Sequence, residues 1–383
     1  MLTVEVIDDL EAAEAFAPEW DEQAVARSIP MCSPGWMLAW WRNLAPAGAG
    51  LRILTVRRDS ELVAIAPWFV QTGDAGRVDV RFLGAEVSDR VDILCLPGRE
   101  REVAPVLRQA LLEIRPRADL AAFEAVSIGS PWTRLLASGW PGRARLGRYR
   151  NSVIPAPTVT LPAGPPEAWL AGRSRNFRGQ IGRMGRRLES LGGGVRQITD
   201  PAETQQAVGT LLALHASRWE GRGRSNLARP AVQAFLSEAA ATLGPDRLRL
   251  WAAEINGEPI SVQLFIAAGG EIKYWNGGWD EAHADLKPSM LTISAALQDA
   301  IARGQQRLDL GAGTHPYKLR FADGEDPLTW GGLTVHNRRW PRTAAELAPK
   351  VLRYRGKLLV QALPAPASER IATVAKARRG TPS

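Results

Sequence analysis

The feature that most limits how this chain can fold is a repeat within it. Residues 51–69, LRILTVRRDSELVAIAPWF, lie over residues 248–266, LRLWAAEINGEPISVQLFI, and both read as strand, turn, strand. In the second copy Asn256-Gly257 supplies the turn chemistry of a tight hairpin; Arg58-Asp59-Ser60 does so less ideally in the first. Downstream, RFLGAEV (81–87) matches KYWNGGW (273–279) as a strand running into a polar loop. A helix follows in each copy, at 101–114 and 288–304, the second with Pro288 at an allowed first-turn position. Each helix leads to a strand, 120–129 or 306–313, and then to SPWTRLL (130–136) or HPYKLRF (315–321). This alternation predicts an α/β chain with a mixed sheet in each half. The expected domains are 1–155 and 201–340, the second including a last strand at 328–336. A linker with an arginine-rich helix (156–200) would join them, and a basic amphipathic tail (341–383) would follow.

Charge and cysteine content narrow the function. The net charge of +8 is uneven: residues 173–187 hold six arginines and no acid, and residues 338–383 carry a surplus of nine. The remainder is near −7, which argues against a DNA binder and for two basic elements that meet an anionic ligand or surface. Only Cys32 and Cys95 are present, so neither a disulfide framework nor a cysteine-rich metal site is expected. No apolar run reaches the roughly 18 residues that span a bilayer, and the acidic start MLTVEVIDDLEAAEAF lacks the basic residues of a signal peptide. A cytoplasmic protein is expected, with the inner membrane face as a docking place for the tail.

Two segments of the second copy can carry chemistry. After the loop 279–287 a helix starts at Pro288-Ser289-Met290, and its unpaired N–H groups would face an anion such as a pyrophosphate, with Trp279 and Asp280 beside them. The run Asp309-Leu310-Gly311-Ala312-Gly313-Thr314-His315-Pro316-Tyr317-Lys318 ends a strand in glycines that allow close backbone approach. His315, Tyr317 and Lys318 then offer groups that move protons or stabilise an oxyanion. The first copy has Trp132-Thr133 where the second has Tyr317-Lys318, as a copy relieved of catalysis would. His215 stands with Arg218 and Trp219 at a helix end and could wall a pocket; Tyr274 and Asp309 would line the substrate side. The histidines show no HxxxH or HxH spacing, so no catalytic metal is expected. Arg175 and Arg178 share a helix face with Arg186 and suit phosphate contact. The tail 350–363 interleaves Lys350, Arg353, Arg355 and Lys357 with apolar residues. It would either lie on an anionic membrane or dock on the protein.

The opening FAPEWDEQAV…SIPMCSPGWMLAWWRNL, the hairpin after it, HxxRW at 215–219 and DLGAG…PYKLRF at 309–321 resemble the CelD-like, FemAB-related branch of the GNAT acyltransferases. Bacterial ceramide synthases also look like members. The resemblance spans nearly the whole chain and implies tandem GNAT-like domains, an acyl-CoA donor, no metal, and an amine acceptor from envelope glycan or sphingoid-lipid synthesis. It implies Lys318 near the reacting carbonyl or a substrate phosphate, Tyr317 as the group that protonates the departing thiolate, and CoA pyrophosphate at 279–290. His215, His315 or water would remove the amine's proton. The loop lacks the Q/RxxGxG/A pattern common in GNAT enzymes, which leaves open the aminoacyl-tRNA donors of Fem-type relatives. A non-catalytic effector that binds a cyclic dinucleotide or membrane is the remaining reading.

Overall fold

The repeat becomes two mixed sheets in the computed structural model, which describes residues 1–73, 76–84, 86–138, 146–218, 227 and 229–361. The first half opens with β1 (Leu2–Ile7), α1 (Leu10–Ala26) and α2 (Pro34–Leu44). The hairpin β2 (Gly50–Arg58) and β3 (Glu61–Thr72) reverses at Asp59, whose φ is +55°. There follow β4 (Val78–Phe82), β5 (Leu94–Cys95), α3 (Glu100–Glu113), β6 (Leu120–Ser127), α4 (Trp132–Ala137) and β7 (Leu146–Ile154). The first half ends with β8 (Pro157–Thr160), and the second starts with α5 (Pro166–Ala171), α6 (Arg175–Ser190) and β9 (Gly193–Ile198). Helices α7 (Pro201–Ser217) and α8 (Pro230–Arg247) lead to the hairpin β10 (Leu248–Ile255) and β11 (Glu258–Ala268). Its turn uses positive φ at Asn256 and Gly257, +50° and +85°, as the sequence predicts. The chain continues through β12 (Glu271–Trp279), α9 (Pro288–Ala302), β13 (Arg307–Asp309), α10 (Pro316–Phe321) and β14 (Gly324–Glu325). It closes with β15 (Leu328–Val335) and α11 (Trp340–Gln361).

The first sheet runs β1-β2-β3-β4-β6-β15-β7, with β5 beside β3, and the second β9-β10-β11-β12-β13-β8-β14. Place by place they correspond, and the repeat begins earlier than the sequence suggests: β1-α1-α2 answers to β9-α7-α8. The sixth place in each sheet is taken by the other half's chain. β8, which follows β7, pairs antiparallel with β13; β15, which follows β14, enters between β6 and β7. Two expectations are thereby corrected. The strand at 328–336 belongs to the first sheet, and residues 156–200 are no linker but supply β8, α5, α6 and β9 to the second. Strand patterning in a sequence carries no address for the edge it will join, and β6 and β13 both present edges that need covering.

One core joins the halves: Trp20, Trp36 and Trp40 pack in the same cluster as Leu211, Phe235 and Leu264. Helix α2 meets α8 closely at Gly35, where a Cβ would lie 2.9 Å from Leu243 Cδ2. A separate core of Trp169, Phe177, Phe265, Ile293 and Phe321 covers the opposite face of the second sheet.

Candidate active site

Strands β12 and β13 pair in parallel at three positions only, ending at Lys273 and Asp309. Past that point β12 continues to Trp279, while the chain after β13 turns away at Gly311, φ +75°. The strands part and leave a gap in the sheet. A bulge sets the faces of β12: Leu264 opposes Asn276 and Phe265 opposes Tyr274, so Trp275 is passed over. Tyr274, Gly277 and Trp279 consequently line a cavity on one face, and Lys273, Trp275 and Asn276 one on the other.

The first cavity, about 230 Å³, is bounded by Arg218, Tyr274, Trp279, Ser289, Met290 and Tyr317. It receives the N-terminus of α9, which has no side-chain cap and no acid in its first turn. Lys287 precedes it in the left-handed conformation, φ +47°. Unpaired N–H groups with the positive end of a helix dipole suit an anion. The Arg218 guanidinium lies 4.8 Å from the centre of the Trp279 ring at the same cavity. The Tyr274 hydroxyl donates to Gln263 Oε1 at 2.8 Å and is hydrogen-bonded to that of Tyr317. Gln263 is fixed in turn by its amide bonds to Ser261 Oγ (2.9 Å) and Ser289 Oγ (3.1 Å). Gly277 is required beside it, since a Cβ there would come within 1.8 Å of Gln263 Oε1. Burial raises the pKa of both tyrosines, of Tyr317 despite its bond to Tyr274, so each keeps its proton at neutral pH.

At the apex of the gap Lys318 is buried, its Nζ donating to Gly311 O (3.3 Å) and Ala312 O (2.8 Å). Burial, then the charge of Lys273, lowers its pKa to about 8 against the pull of Asp89 and Asp309. Asp309 lines neither cavity, contrary to expectation: it is wholly enclosed and accepts from Arg90 Nε (2.6 Å), Lys273 Nζ (3.0 Å) and Gly311 N (2.7 Å). Burial opposes its ionisation, but Lys273 and Arg90 outweigh burial and hold it well below the usual carboxylate range. The second cavity, about 690 Å³, lies between the halves, with Arg81, Asp89, Glu124 and Trp330 facing Lys273 and Trp275. The loop that carries Asp89 and Arg90 thus crosses from the first half to the second half's gap.

The other expected residues fall as follows. His215, in the last turn of α7, is buried, and its pKa is lowered by burial and then by Arg218. His315 precedes α10, stacks on Tyr317 at 6.1 Å, and is lowered by burial, Lys318 and Arg218. Both are neutral at pH 7. Asp280 caps the turn after β12, accepting from Ala282 N at 2.9 Å, and does not line the cavity, though Pro288, Ser289 and Met290 do. Gly313 donates its N–H to Pro155 O at 2.8 Å. Arg178 is committed to Ala171 O at 2.9 Å and Arg173 O, while Arg175 is exposed on the same helix. Trp219 lies outside the described residues. Gln263, Lys273 and Asp89 are site residues that the sequence reading misses. Gln263 and Lys273 do leave a signal, as polar residues inside the largely apolar strands ISVQLFI and EIKYW.

The first half's counterpart of the first cavity is shut. Trp68, Phe82 and Phe123 fill it, with ring centres 6.1 and 5.4 Å apart, and Arg81 bonds Glu124 at 2.7 Å where β4 and β6 part. The first turn of α3 carries Glu100 and Glu102, which repel an anion there. Among the described residues no cluster of His, Cys, Asp and Glu is placed to hold a metal ion.

Residues 175–319 match the family model described as "Acetyltransferase (GNAT) domain". No curated protein matches the sequence. Among solved structures, FemX is similar with a TM-score of 0.63, 11% identity, and coverage of 88% of this chain and 99% of that one. The C-terminal domain of a putative lysylphosphatidylglycerol synthetase from Agrobacterium fabrum gives 0.54 at 10% identity, over 89% and 96% of the two chains. A Bacteroides thetaiotaomicron protein of unknown function gives 0.53 at 11%, over 87% and 100%. These likenesses describe the fold. The matched segment holds both sides of the gap.

Proposed function

We propose that the second half moves an acyl group from an acyl-CoA thioester to a primary amine of envelope glycan or lipid synthesis. What carries this reading is the parting of β12 from β13, with the α9 N-terminus on one face and the interdomain cavity on the other. The pyrophosphate sits at α9 with Arg218 nearby, and the extended arm of the donor pairs with the β12 edge freed beyond Lys273. The amine enters from the opposite face and attacks the thioester directly. Cys32 and Cys95 are unsuited as nucleophiles: burial pushes both thiols up to about 12. Tyr317, still protonated and in the donor cavity, gives its proton to the leaving sulfur. Lys318 holds the Gly311 and Ala312 carbonyls that shape the gap.

Purified protein mixed with acetyl-CoA or palmitoyl-CoA and a panel of amines should release free thiol, read colorimetrically. Tyr317→Phe should lower kcat by about 10²-fold with little change in donor affinity. Thiol release that is unaltered in Tyr317→Phe and Lys318→Ala would remove the site assignment. A second reading, transfer from aminoacyl-tRNA, is favoured by the exposed arginines of α6, where Arg187 bonds Asp285 in the turn before α9. It requires charged tRNA and is indifferent to acyl-CoA.

For localisation we propose peripheral attachment to anionic membrane through α11. Its inner side docks through the buried Thr343 and Leu347, while Leu352 and Leu359 stay exposed among Lys350, Arg353 and Lys357. Among the described residues no helix is long and apolar enough to cross a membrane. Sedimentation with phosphatidylglycerol vesicles that weakens with added salt would support this.

A further inference from the structure

We infer that Asp89, carried by the first half, receives the ammonium of the acceptor at the second half's gap, and that this acceptor is a hydrophilic amine such as an amino sugar. The inference rests on the acyl-transfer reading and adds the acceptor's class and its anchor.

Gly311 marks the place. A single atom at its Cβ position would lie 3.3 Å from Asp89 Oδ2, 3.5 Å from Tyr274 O and 3.6 Å from Lys273 Nζ. Asp89 Oδ2, Tyr274 O and Lys273 Nζ therefore gather on the side of Gly311 that faces the opening, with Lys273 Nζ 3.8 Å from Asp89 Oδ2. Tyr274 O belongs to the strand that bounds the donor cavity, and the partly exposed Asp89 carboxylate lines the second cavity across the gap, so an amine nitrogen held by Asp89 in that cavity stands beside the thioester. The Asp89 carboxylate is held in position, because its Oδ2 accepts from Ala312 N at 2.9 Å. The neighbouring Arg90 locks the same loop to Asp309. The Coulomb field of Lys273 disfavours a second positive charge at close range, which promotes release of the ammonium proton to the carboxylate.

The rest of the cavity sets the class. Its walls hold ion pairs, Arg81 with Glu86 at 2.8 Å and with Glu124 at 2.7 Å, and the indoles of Trp275 and Trp330. Trp275 is held in place by its Nε1 bond to Val87 O at 2.7 Å. Charged walls leave the polar groups of a sugar solvated and paired, and indole faces pack against its C–H surface. An alkyl chain would leave those charges desolvated without partners.

The step balances. The ammonium passes one proton to Asp89, which returns it to solvent through the cavity. The neutral nitrogen forms the C–N bond, the C–S bond breaks, and the second nitrogen-bound proton replaces the one Tyr317 gives to the thiolate. The products are an amide, free CoA and one proton.

Calorimetry of the full chain with D-glucosamine, N-acetylglucosamine and dodecylamine tests this without turnover, and CoA binding is measured separately. Wild type should prefer D-glucosamine to N-acetylglucosamine by at least tenfold. Asp89→Asn, which can still accept from Ala312 N, should lose that preference while CoA affinity and Tm stay within error; Asp89→Glu should regain part of it. Equal preference in wild type and Asp89→Asn, or binding of dodecylamine over D-glucosamine, overturns the inference and leaves the acyl-transfer reading standing. Absence of CoA binding overturns that reading instead.

Discussion

Asp309 and Lys318 are nine residues apart and both buried, yet they meet their charge problem in opposite ways. Asp309 has three donors around it, so its ionised form is the stable one. Its loss would leave Arg90 with Asp326 alone and Lys273 with only the more distant Asp89 carboxylate at 3.8 Å. Asp309→Ala is expected to cost about 3–5 kcal/mol in urea unfolding, more than a surface substitution could. Lys318 has only carbonyl partners and a cation nearby, and its pKa falls to about 8. Between about pH 8 and 10.5 the unfolded chain holds a proton that the native one does not. Stability contributed at this position therefore rises with pH across that window, by at most about 1.4 kcal/mol per unit. The stability gap between wild type and Lys318→Met should widen in favour of wild type from pH 8 to 10; a pH-independent gap would contradict the placement of its ammonium.

At the scale of elements, the site depends on how closely α7 can approach β12. A Cβ on Gly278 would lie 2.6 Å from Leu214 Cβ and 2.7 Å from Leu211 O, so the helix rests directly on the strand. Gly278→Ala should destabilise the fold by about 1–3 kcal/mol and shift Tyr274 and Trp279, lowering donor affinity as well as Tm. The hairpins, α9 and the Tyr317-Lys318 turn are legible in the sequence because Asn256-Gly257, Pro288 and Pro316 punctuate them strongly. Trp279, Ser289, Met290, Arg218, Tyr274 and Tyr317 all stand out in the sequence and do line one cavity. Asp280, Asp309 and Arg178 stand out by residue type alone, and geometry commits them to a turn, an ion cluster and a helix end. The strand β13 is three residues long, too short for any period to reveal where it stops and the gap begins. Asp89 is not legible because its role comes from a loop of one half reaching the other, which local pattern does not encode.

The whole molecule is held by an exchange. The chain passes from the first sheet to the second between Ile154 and Pro157, and back between Glu325 and Leu328, each sheet taking its sixth strand from the other half. With α2 against α8 and one core shared by both halves, neither half is complete alone. A fragment of residues 1–155 lacks β15, so β6 and β7 have no strand between them. It should fail to give a cooperative thermal transition, whereas the full chain should unfold in one; an independently folded fragment would contradict the exchange. This architecture explains why a closed first half is retained: it supplies Asp89, Arg90 and a cavity wall to the open one.

The proposed acyl transfer requires one donor site, at the parting of β12 and β13. A crystal structure with acyl-CoA bound tests it most directly. The pyrophosphate should lie at the N–H groups of Ser289 and Leu291, the thioester sulfur beside Tyr317, and the carbonyl carbon at the gap near Gly311. CoA seated on α3 of the first half, or bound with its thioester away from Tyr317, would contradict it.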